Sequence, residues 1–206
     1  MAKALAGKIG KPFARVVDLG CGSGGFFRAY EHPFTRYLAV DISDEMLELH
    51  PEAPGVVKMR GDFDDPELFG RLAESDFDLL VSSSALQWSR DLDLVLRRIA
   101  ALGRPSAFAI FTSGTFETLH KTAGISSPIR TKEETIAALE KNFDAEIDIL
   151  RYELYFEDSL SMLRYIKRSG VSGGKRRLTY AQTKKVLQDY RLPYLEFEVV
   201  RAVTGT

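Results

Sequence analysis

The stretch Val16-Val-Asp-Leu-Gly-Cys-Gly-Ser-Gly-Gly25 decides the fold class of this chain. It starts as a run of apolar and β-branched residues and passes directly into closely spaced glycines. Such a change marks a β-strand that turns abruptly into a helix while its backbone approaches a ligand, because only glycine has the necessary dihedral freedom and clearance. The stretch therefore predicts a strand, a ligand-binding loop and a helix at residues 24–30.

Short β-rich runs alternate with helical patterns through the first half of the chain. We predict strands at residues 14–19, 36–40, 56–59, 77–82 and 107–111, with further helices at 44–49, 66–73 and 91–102. The last of these helices is the clearest, because its apolar residues recur at helical spacing. Strands that alternate with helices are joined by crossovers, so they form a parallel sheet covered on both faces.

The pattern changes after residue 112. Capping boxes at residues 131–134 and 179–182 each open a helix. A long strand at 144–156, a short helix at 159–169 and a last strand at 195–203 complete the chain. We predict an α/β fold with a Rossmann-like, seven-stranded, mostly parallel sheet, helices on both faces, and an α-helical insertion at about 158–191 before the last strand. The predicted organisation is a single domain, residues 1–206, with a ligand-binding half at 14–112 and a second half at 113–206.

Composition and charge exclude several classes of protein. The 206 residues are 45% hydrophobic, which is enough for one sizeable core, and the net charge is −1. That balance argues against a basic nucleic-acid binder and against an acidic disordered chain. The single cysteine cannot form an internal disulfide, no Cys or His cluster has metal-ligand spacing, and no apolar run reaches membrane-spanning length. We therefore expect a cytoplasmic protein with no metal, nucleic-acid or membrane partner.

Acidic residues near three strand ends narrow the choice of ligand. The glycine spacing alone also satisfies a dinucleotide fingerprint. Asp41 ends the second strand, where a carboxylate can accept two hydrogen bonds from a ribose diol, and Asp62 follows the third, where it can face an adenine amino group. Asp18 precedes the first glycine, where it would crowd a pyrophosphate but suit a cationic ammonium or sulfonium. A nucleoside ligand that carries a cation is therefore favoured over a nicotinamide dinucleotide.

These motifs resemble the successive motifs of class I S-adenosylmethionine-dependent methyltransferases. The resemblance is carried by the glycine stretch, by Val40-Asp-Ile-Ser-Asp-Glu-Met46 and by Gly61-Asp-Phe63. It implies S-adenosylmethionine as cofactor and S-adenosylhomocysteine as product, with the loop at the methionine end, Asp41 at the ribose, and the later residues around the adenine. The implied cofactor-binding residues are Asp18, Gly20, Cys21, Gly22, Asp41, Ile42, Met46, Asp62, Phe63 and Ser83. Cys21 is expected to be a small loop residue rather than a nucleophile, and Gly24 and Gly25 could serve helix–strand packing alone.

Four segments are similar to the biotin-synthesis malonyl-carrier-protein O-methyltransferases, the BioC family. One follows the predicted fourth strand, and the other three lie in the second half of the chain. The four segments are Ser84-Ala-Leu-Gln-Trp88, Thr118-Leu-His-Lys121, Leu163-Arg-Tyr-Ile-Lys167 and Leu178-Thr-Tyr180. The resemblance implies esterification of the free carboxylate of a malonyl thioester on acyl carrier protein or coenzyme A, in biotin precursor synthesis. That family usually carries a longer segment before the glycine loop, with a helix and an aromatic residue that close over the cofactor. The short segment here predicts a site that is covered differently or has lost activity.

The implied reaction needs positioning groups rather than a general base. A carboxylate is already ionised at neutral pH, so the protein has to align it and hold its charge without blocking the attacking lone pair. Gln87 and Trp88 follow the fourth strand, His120 follows the fifth, and the forked guanidinium of Arg164 suits a carboxylate. We predict these four as catalytic residues. The alternatives are a core position for Trp88 and a surface helix position for His120.

Basic residues concentrate in the second half of the chain. Docking of an acidic carrier protein is predicted on Arg168, Lys175, Arg176, Lys184 and Lys185; the alternative is an ordinary solvated face. Two other functions stay open: methylation of another small molecule, such as a quinone precursor, and a non-catalytic cofactor-binding partner protein. A nicotinamide oxidoreductase is disfavoured by Asp18 and Asp62.

Overall fold

The computed structural model describes residues 1–168 and 178–205, without the side chains of Lys167 and Arg168. Within these residues, helices alternate with strands along most of the chain. The helices are α1 (Ala2–Ala6), α2 (Asp44–Leu49), α3 (Pro66–Ala73), α4 (Leu92–Ala101), α5 (Glu117–Ala123), α6 (Lys132–Asn142), α7 (Ser159–Arg168) and α8 (Tyr180–Asp189). The strands are β1 (Arg15–Leu19), β2 (Arg36–Asp41), β3 (Val56–Arg60), β4 (Leu79–Ser83), β5 (Ser106–Phe111), β6 (Ala145–Tyr155) and β7 (Tyr194–Thr204).

The seven strands of the described residues form one sheet in the order β3-β2-β1-β4-β5-β7-β6. The pairs among the first five strands are parallel. β7 runs antiparallel to β5, because the Ser106 amide donates to the side chain of Thr204 whereas the Thr112 amide donates to the carbonyl of Glu198. The predicted mostly parallel sheet is confirmed, as is the helical insertion before the last strand, since α7 and α8 separate β6 from β7.

The strand order places the site. The chain moves outward from β1 in one direction through β2 and β3, and in the other through β4 and β5. In such sheets a ligand lies beyond the carboxyl ends of the strands, at the point where the order reverses. Here that point lies between the loop that follows β1 and the loop that follows β4.

The chain divides into two compact units, of which the first comprises Met1–Ile110, Glu133–Asp148 and Val200–Thr206. Its central strands are buried on both faces, as expected for a parallel sheet. One face packs against α3, α4 and α6 in a single apolar cluster. The Asp91 side chain caps α4 by accepting from the Leu94 amide. This core fixes the ends of β1 to β4, where the site residues lie.

The second unit comprises Phe111–Lys132 and Ile149–Val199. It contains α5, α7, α8 and the adjoining parts of β6 and β7. The predicted capping box of α8 is present: the Thr179 side chain accepts from the Gln182 amide, and the Gln182 side chain accepts from the Thr179 amide. No helix within the described ranges is long and apolar enough to cross a membrane.

The predicted helix at residues 24–30 is wrong. The structure has a turn followed by a single 3₁₀ turn at Phe27–Ala29. Gly24 adopts a left-handed φ of +86° and packs so closely on Pro51 that a Cβ there would lie 2.6 Å from its ring. The hydroxyl of Tyr30 then bonds to both backbone polar groups of Phe13, which holds the chain in an extended conformation at Tyr30. Tertiary contacts therefore replace the helix that local sequence favours.

Candidate active site

The glycine loop is tied to the end of β2 and packed against the loop after β4. The amides of Gly20 and Cys21 both donate to the carbonyl of Val40, at 2.8 and 3.0 Å. A Cβ on Gly20 would lie 2.2 Å from the Cβ of Ala85, whereas a Cβ on Gly22 would meet no atom within 4 Å. Gly20 is therefore required by packing, and the space beside Gly22 is open to a ligand.

Asp41 anchors the loop through both of its carboxylate oxygens. Oδ2 accepts from the Gly22 amide at 2.8 Å and Oδ1 accepts from the Ser43 amide at 2.9 Å. A carboxylate oxygen has two lone pairs, so each can still accept a hydrogen bond from a ligand hydroxyl. The residue predicted to hold the ribose thus also fixes the conformation of the loop.

Asp18 is a buried acid with one uncommitted oxygen. Its side chain is 1% exposed, and Oδ2 accepts from the hydroxyl of Tyr37 at 2.7 Å. Oδ1 is buried and accepts no hydrogen bond from any described residue. Burial, with a smaller contribution from the charge of Asp41, raises the pKa of Asp18 to about 7. A cationic group at Oδ1 would satisfy this oxygen and favour the ionised form.

Apolar side chains follow the end of β2. Ile42 is 56% exposed, and Met46 is partly buried in the first turn of α2. Ser43 caps this helix by accepting from the Met46 amide at 3.2 Å. The cap fixes the backbone that carries both apolar residues predicted to flank the adenine.

The turn after β3 adjoins the glycine loop. The Asp62 side chain accepts from the Asp64 amide at 2.8 Å, and the guanidinium of Arg90 lies 3.6 Å from its other oxygen. A ring atom of Phe63 lies 3.9 Å from the position of a Cβ on Gly20. The acid and the aromatic ring predicted to cap the adenine are therefore held near the first glycine.

A hydrogen bond between two of its own residues stabilises the loop after β4. Ser83 ends the strand, and Ser84 adopts a left-handed φ of 65°. Gln87 is 5% exposed, and its side-chain amide donates to the Ser84 carbonyl at 2.7 Å, while its Oε1 is buried and has no partner in the described part of the chain. Trp88, in the same 3₁₀ turn, is 37% exposed and therefore is not a core aromatic.

His120 and Arg164 belong to the second unit. His120 lies on α5, and burial lowers its pKa, an effect that the carboxylate of Glu196 partly offsets. Its Nδ1 is buried and makes no hydrogen bond with the residues that the structure covers. Arg164 is exposed on α7. The other predicted site residues all lie in the first unit.

The second unit also holds a cavity of about 630 Å³ that sequence analysis did not predict. Four glutamates contribute to its wall together with Arg151, Tyr152, Tyr155 and Phe197. Arg151 donates through Nε and Nη2 to one oxygen of Glu198, at 3.0 and 2.8 Å. Because its one arginine is already paired and its wall carries four glutamates, this cavity does not suit an anionic substrate.

Tyr37 and Ser84 were missed at the sequence level. Tyr37 looks like an ordinary core aromatic in an apolar strand, and its hydroxyl is the only sequence signal of a polar role. No local signal marks Ser84, because its left-handed conformation follows from the path of the loop. Of the docking residues, Lys184 and Lys185 are exposed on α8. Lys175, Arg176 and the side chain of Arg168 lie outside the described residues.

Comparisons with known proteins identify the family. A family model described as a methyltransferase domain matches residues 17–109. The malonyl-[acyl-carrier protein] O-methyltransferase of Chlorobium luteolum is 31% identical over 203 residues, covering 92% of this chain and 75% of the relative. That of Pseudescherichia vulneris is 29% identical, covering 77% of this chain and 65% of the relative.

A solved structure supports the fold. The S-adenosylmethionine dependent methyltransferase from Mesorhizobium loti has a TM-score of 0.54 at 20% identity, with 98% of each chain covered. The likeness in fold agrees with the glycine loop and strand-end carboxylates described above. The chain therefore belongs to the class I S-adenosylmethionine-dependent methyltransferases, in the family that includes these malonyl-[acyl-carrier protein] O-methyltransferases, and S-adenosylmethionine is its cofactor.

Proposed function

We propose that this protein methylates the free carboxylate of a malonyl thioester, carried by acyl carrier protein or coenzyme A, in biotin precursor synthesis. One observation carries the proposal. The similarity to the C. luteolum malonyl-[acyl-carrier protein] O-methyltransferase extends over 92% of this chain, far beyond the matched methyltransferase domain at residues 17–109. It therefore includes most of residues 113–206, the half to which we assign the substrate.

The first unit offers groups that fit the cofactor. The Asp18 oxygen that has no partner among the described residues suits the ammonium of the methionine part, Asp41 keeps lone pairs for the ribose, and the surface beside Gly22 is open. When bound, S-adenosylmethionine supplies an electrophilic methyl group that a carboxylate oxygen can attack without loss of a proton. We assign Ile42, Met46, Asp62 and Phe63 to the adenine, and Ser83 and Cys21 to the surrounding wall.

The second unit supplies groups that can hold a carboxylate. Its lowered pKa keeps His120 neutral at neutral pH, so the imidazole can donate a hydrogen bond without transferring a proton to the carboxylate. Arg164 is exposed, and its planar guanidinium can bind a carboxylate through two parallel hydrogen bonds. In the first unit, Gln87 and Trp88 are proposed to line the path of the acceptor.

Carrier-protein docking is proposed on the exposed basic residues of α8. Lys184 and Lys185 present two positive charges, and Leu187 on the same helix is 46% exposed. Acidic partners are attracted by such charges over about 10 Å at moderate salt, so the effect would be mainly on encounter. Arg168, Lys175 and Arg176 are proposed as further docking residues on the basis of the sequence alone, because Lys175, Arg176 and the side chain of Arg168 lie outside the described residues.

The experiment is methyl transfer from radiolabelled S-adenosylmethionine to malonyl-acyl carrier protein, malonyl-coenzyme A and free malonate. We expect methyl ester on one or both thioesters and none on free malonate. Arg164→Ala should lower kcat if the guanidinium holds the reacting carboxylate. Binding of S-adenosylhomocysteine without transfer to any malonyl compound would refute the substrate and leave another acceptor to be found. Failure to bind S-adenosylhomocysteine would refute the cofactor site as drawn.

A further inference from the structure

Tyr37 donates a hydrogen bond to Asp18 from inside the apolar core of the sheet. It lies in the interior of β2 and is fully buried. β1 and β2 are parallel, with Tyr37 opposite Val16, so Asp18 is two residues further along the neighbouring strand. This diagonal places the Tyr37 hydroxyl 2.7 Å from Oδ2 of Asp18. A buried carboxylate that would otherwise lie in an apolar core thereby gains a hydrogen-bond donor.

Aromatic packing fixes the Tyr37 ring. Phe27 lies edge-on at 5.1 Å between ring centroids, and Phe34 and His50 lie tilted at 5.6 and 6.0 Å. Burial and the nearby charge of Asp18 raise the pKa of Tyr37, so the hydroxyl keeps its proton. Burial lowers the pKa of His50, so that ring is neutral at neutral pH. These three rings therefore hold the neutral Tyr37 hydroxyl, a hydrogen-bond donor, in one position.

The geometry of Asp18 then leaves one oxygen for a ligand. Oδ2 is committed to Tyr37, and Oδ1 is buried without a partner among the described residues. Two other titratable groups lie around the carboxylate, Asp41 at the end of β2 and Cys21 in the loop. Burial and the charges of Asp18 and Asp41 raise the pKa of the Cys21 thiol, so it is neutral. The charge of Asp41 disfavours a negative charge on Asp18, and the neutral thiol of Cys21 does not stabilise one. The hydrogen bond from Tyr37 is the contact that favours the ionised carboxylate.

We propose that Tyr37 is a positioning residue for the cofactor: its hydroxyl fixes the Asp18 carboxylate through Oδ2 so that Oδ1 receives the ammonium of the methionine part of S-adenosylmethionine. The proposal rests on the proposed cofactor role of Asp18. It assigns Tyr37 no contact with the cofactor itself.

The proposal predicts a particular pH dependence of binding. Asp18 is ionised above its pKa of about 7, so affinity for a ligand with an ammonium group should fall as the pH drops through that value. The Tyr37 hydrogen bond opposes this elevation of the pKa. Removing it should therefore raise the pKa further and move the loss of affinity to higher pH.

The test is calorimetric binding to Tyr37→Phe from about pH 6 to about pH 9, a range that contains both the Asp18 pKa of about 7 and the higher value expected in the variant. Two ligands are compared: S-adenosylhomocysteine, which carries the ammonium, and 5′-methylthioadenosine, which lacks the amino-acid part. Tyr190→Phe is the matched control, because Tyr190 is also buried and its hydroxyl donates to the Tyr194 carbonyl in the second unit instead. For Tyr37→Phe we expect about tenfold weaker S-adenosylhomocysteine binding at neutral pH and a midpoint about one pH unit higher, the effect of one lost hydrogen bond to a charged group. Binding of 5′-methylthioadenosine should not change, and Tyr190→Phe should change neither ligand.

Each of the following results would overturn the proposal. An unchanged midpoint in Tyr37→Phe would mean that Tyr37 only packs, and equal weakening of both ligands would mean that it acts through the fold. Should Tyr37→Phe not fold, 3-fluorotyrosine at position 37 provides a stronger donor of nearly the same shape, and the midpoint must then move to lower pH. Binding of 5′-methylthioadenosine by the wild type without binding of S-adenosylhomocysteine would refute the role of Asp18, and with it Tyr37. Binding of neither would refute the cofactor site itself.

Discussion

Two glycines of the same loop should respond differently to the same substitution. Gly20 and Gly22 have left-handed φ values of +76° and +52°, so alanine at either costs about 1–2 kcal/mol of backbone strain. At Gly20 the new Cβ would lie 2.2 Å from that of Ala85, well inside the roughly 3.5–4.0 Å of an ordinary carbon contact. Relief of such overpacking costs about 1–3 kcal/mol more. Gly20→Ala should therefore lower the free energy of unfolding by about 2–5 kcal/mol, and Gly22→Ala by only about 1–2 kcal/mol.

A double-mutant cycle isolates the contact. Ala85→Gly removes the atom that the new methyl group meets, so Gly20→Ala combined with Ala85→Gly should retain only the backbone strain. Urea denaturation of the four proteins should give a coupling energy of about 1–3 kcal/mol. The same change at Gly22 should show no coupling to Ala85, because a Cβ there meets no atom within 4 Å.

Ligand binding should follow the opposite order to stability. Gly22→Ala places a methyl group in the open space beside the loop, so it should greatly weaken S-adenosylhomocysteine binding although it costs less stability than Gly20→Ala does. Equal stability losses at Gly20 and Gly22 would refute the packing argument. Unchanged affinity in Gly22→Ala would refute the assignment of the ligand to this side of the loop.

Three further predictions concern charged side chains. Asp41→Ala leaves the Gly22 amide without its acceptor, so the free energy of unfolding should fall by about 1–3 kcal/mol. The affinity for S-adenosylhomocysteine, measured by calorimetry, should fall as well, and an unchanged affinity would mean that the ribose binds elsewhere. Asp18→Asn should raise the free energy of unfolding of the ligand-free protein at pH 8 by about 2–4 kcal/mol. The reason is that the Asp18 pKa of about 7 in the folded state lies above the unfolded value, so the wild type loses stability as the pH rises from the unfolded value to about 7, and asparagine does not. A denaturation series that shows the same pH dependence in both proteins would contradict this. Reversing the charges of Lys184 and Lys185 should raise KM for malonyl-acyl carrier protein without changing kcat, and added salt should have the same effect on the wild type. A loss of kcat that does not depend on salt would mean that these residues form an ordinary solvated face.

Most strands and helices could be predicted because their signals are local. The helix α4 shows apolar residues at helical spacing, and α8 begins at a capping box that the structure reproduces. The turn after Gly24 could not be predicted in this way. Its conformation depends on the approach of Pro51 and on the hydrogen bonds of Tyr30 to Phe13, which are distant in the sequence.

The candidate site shows the same division. Asp41 and Asp62 could be identified as candidates because the carboxyl ends of parallel strands meet at one edge of a sheet. The difference between Gly20 and Gly22 could not, because it depends on where Ala85 lies. The role proposed for Tyr37 depends on the register of β2 against β1, which the sequence of either strand leaves open.

Asp18 links the stability of this protein to its ligand. In the ligand-free protein the acid is buried and its Oδ1 has no partner among the described residues, so its raised pKa costs free energy of folding that grows as the pH rises from the unfolded value to about 7. A ligand cation at that oxygen interacts with the ionised form, so below pH 7 the need to ionise the acid first lowers the affinity. Ligand binding adds to stability by mass action according to its affinity. S-adenosylhomocysteine should therefore raise the thermal midpoint more at pH 8 than at pH 6, and 5′-methylthioadenosine should raise it equally at both, because only the first ligand presents a cation to Asp18.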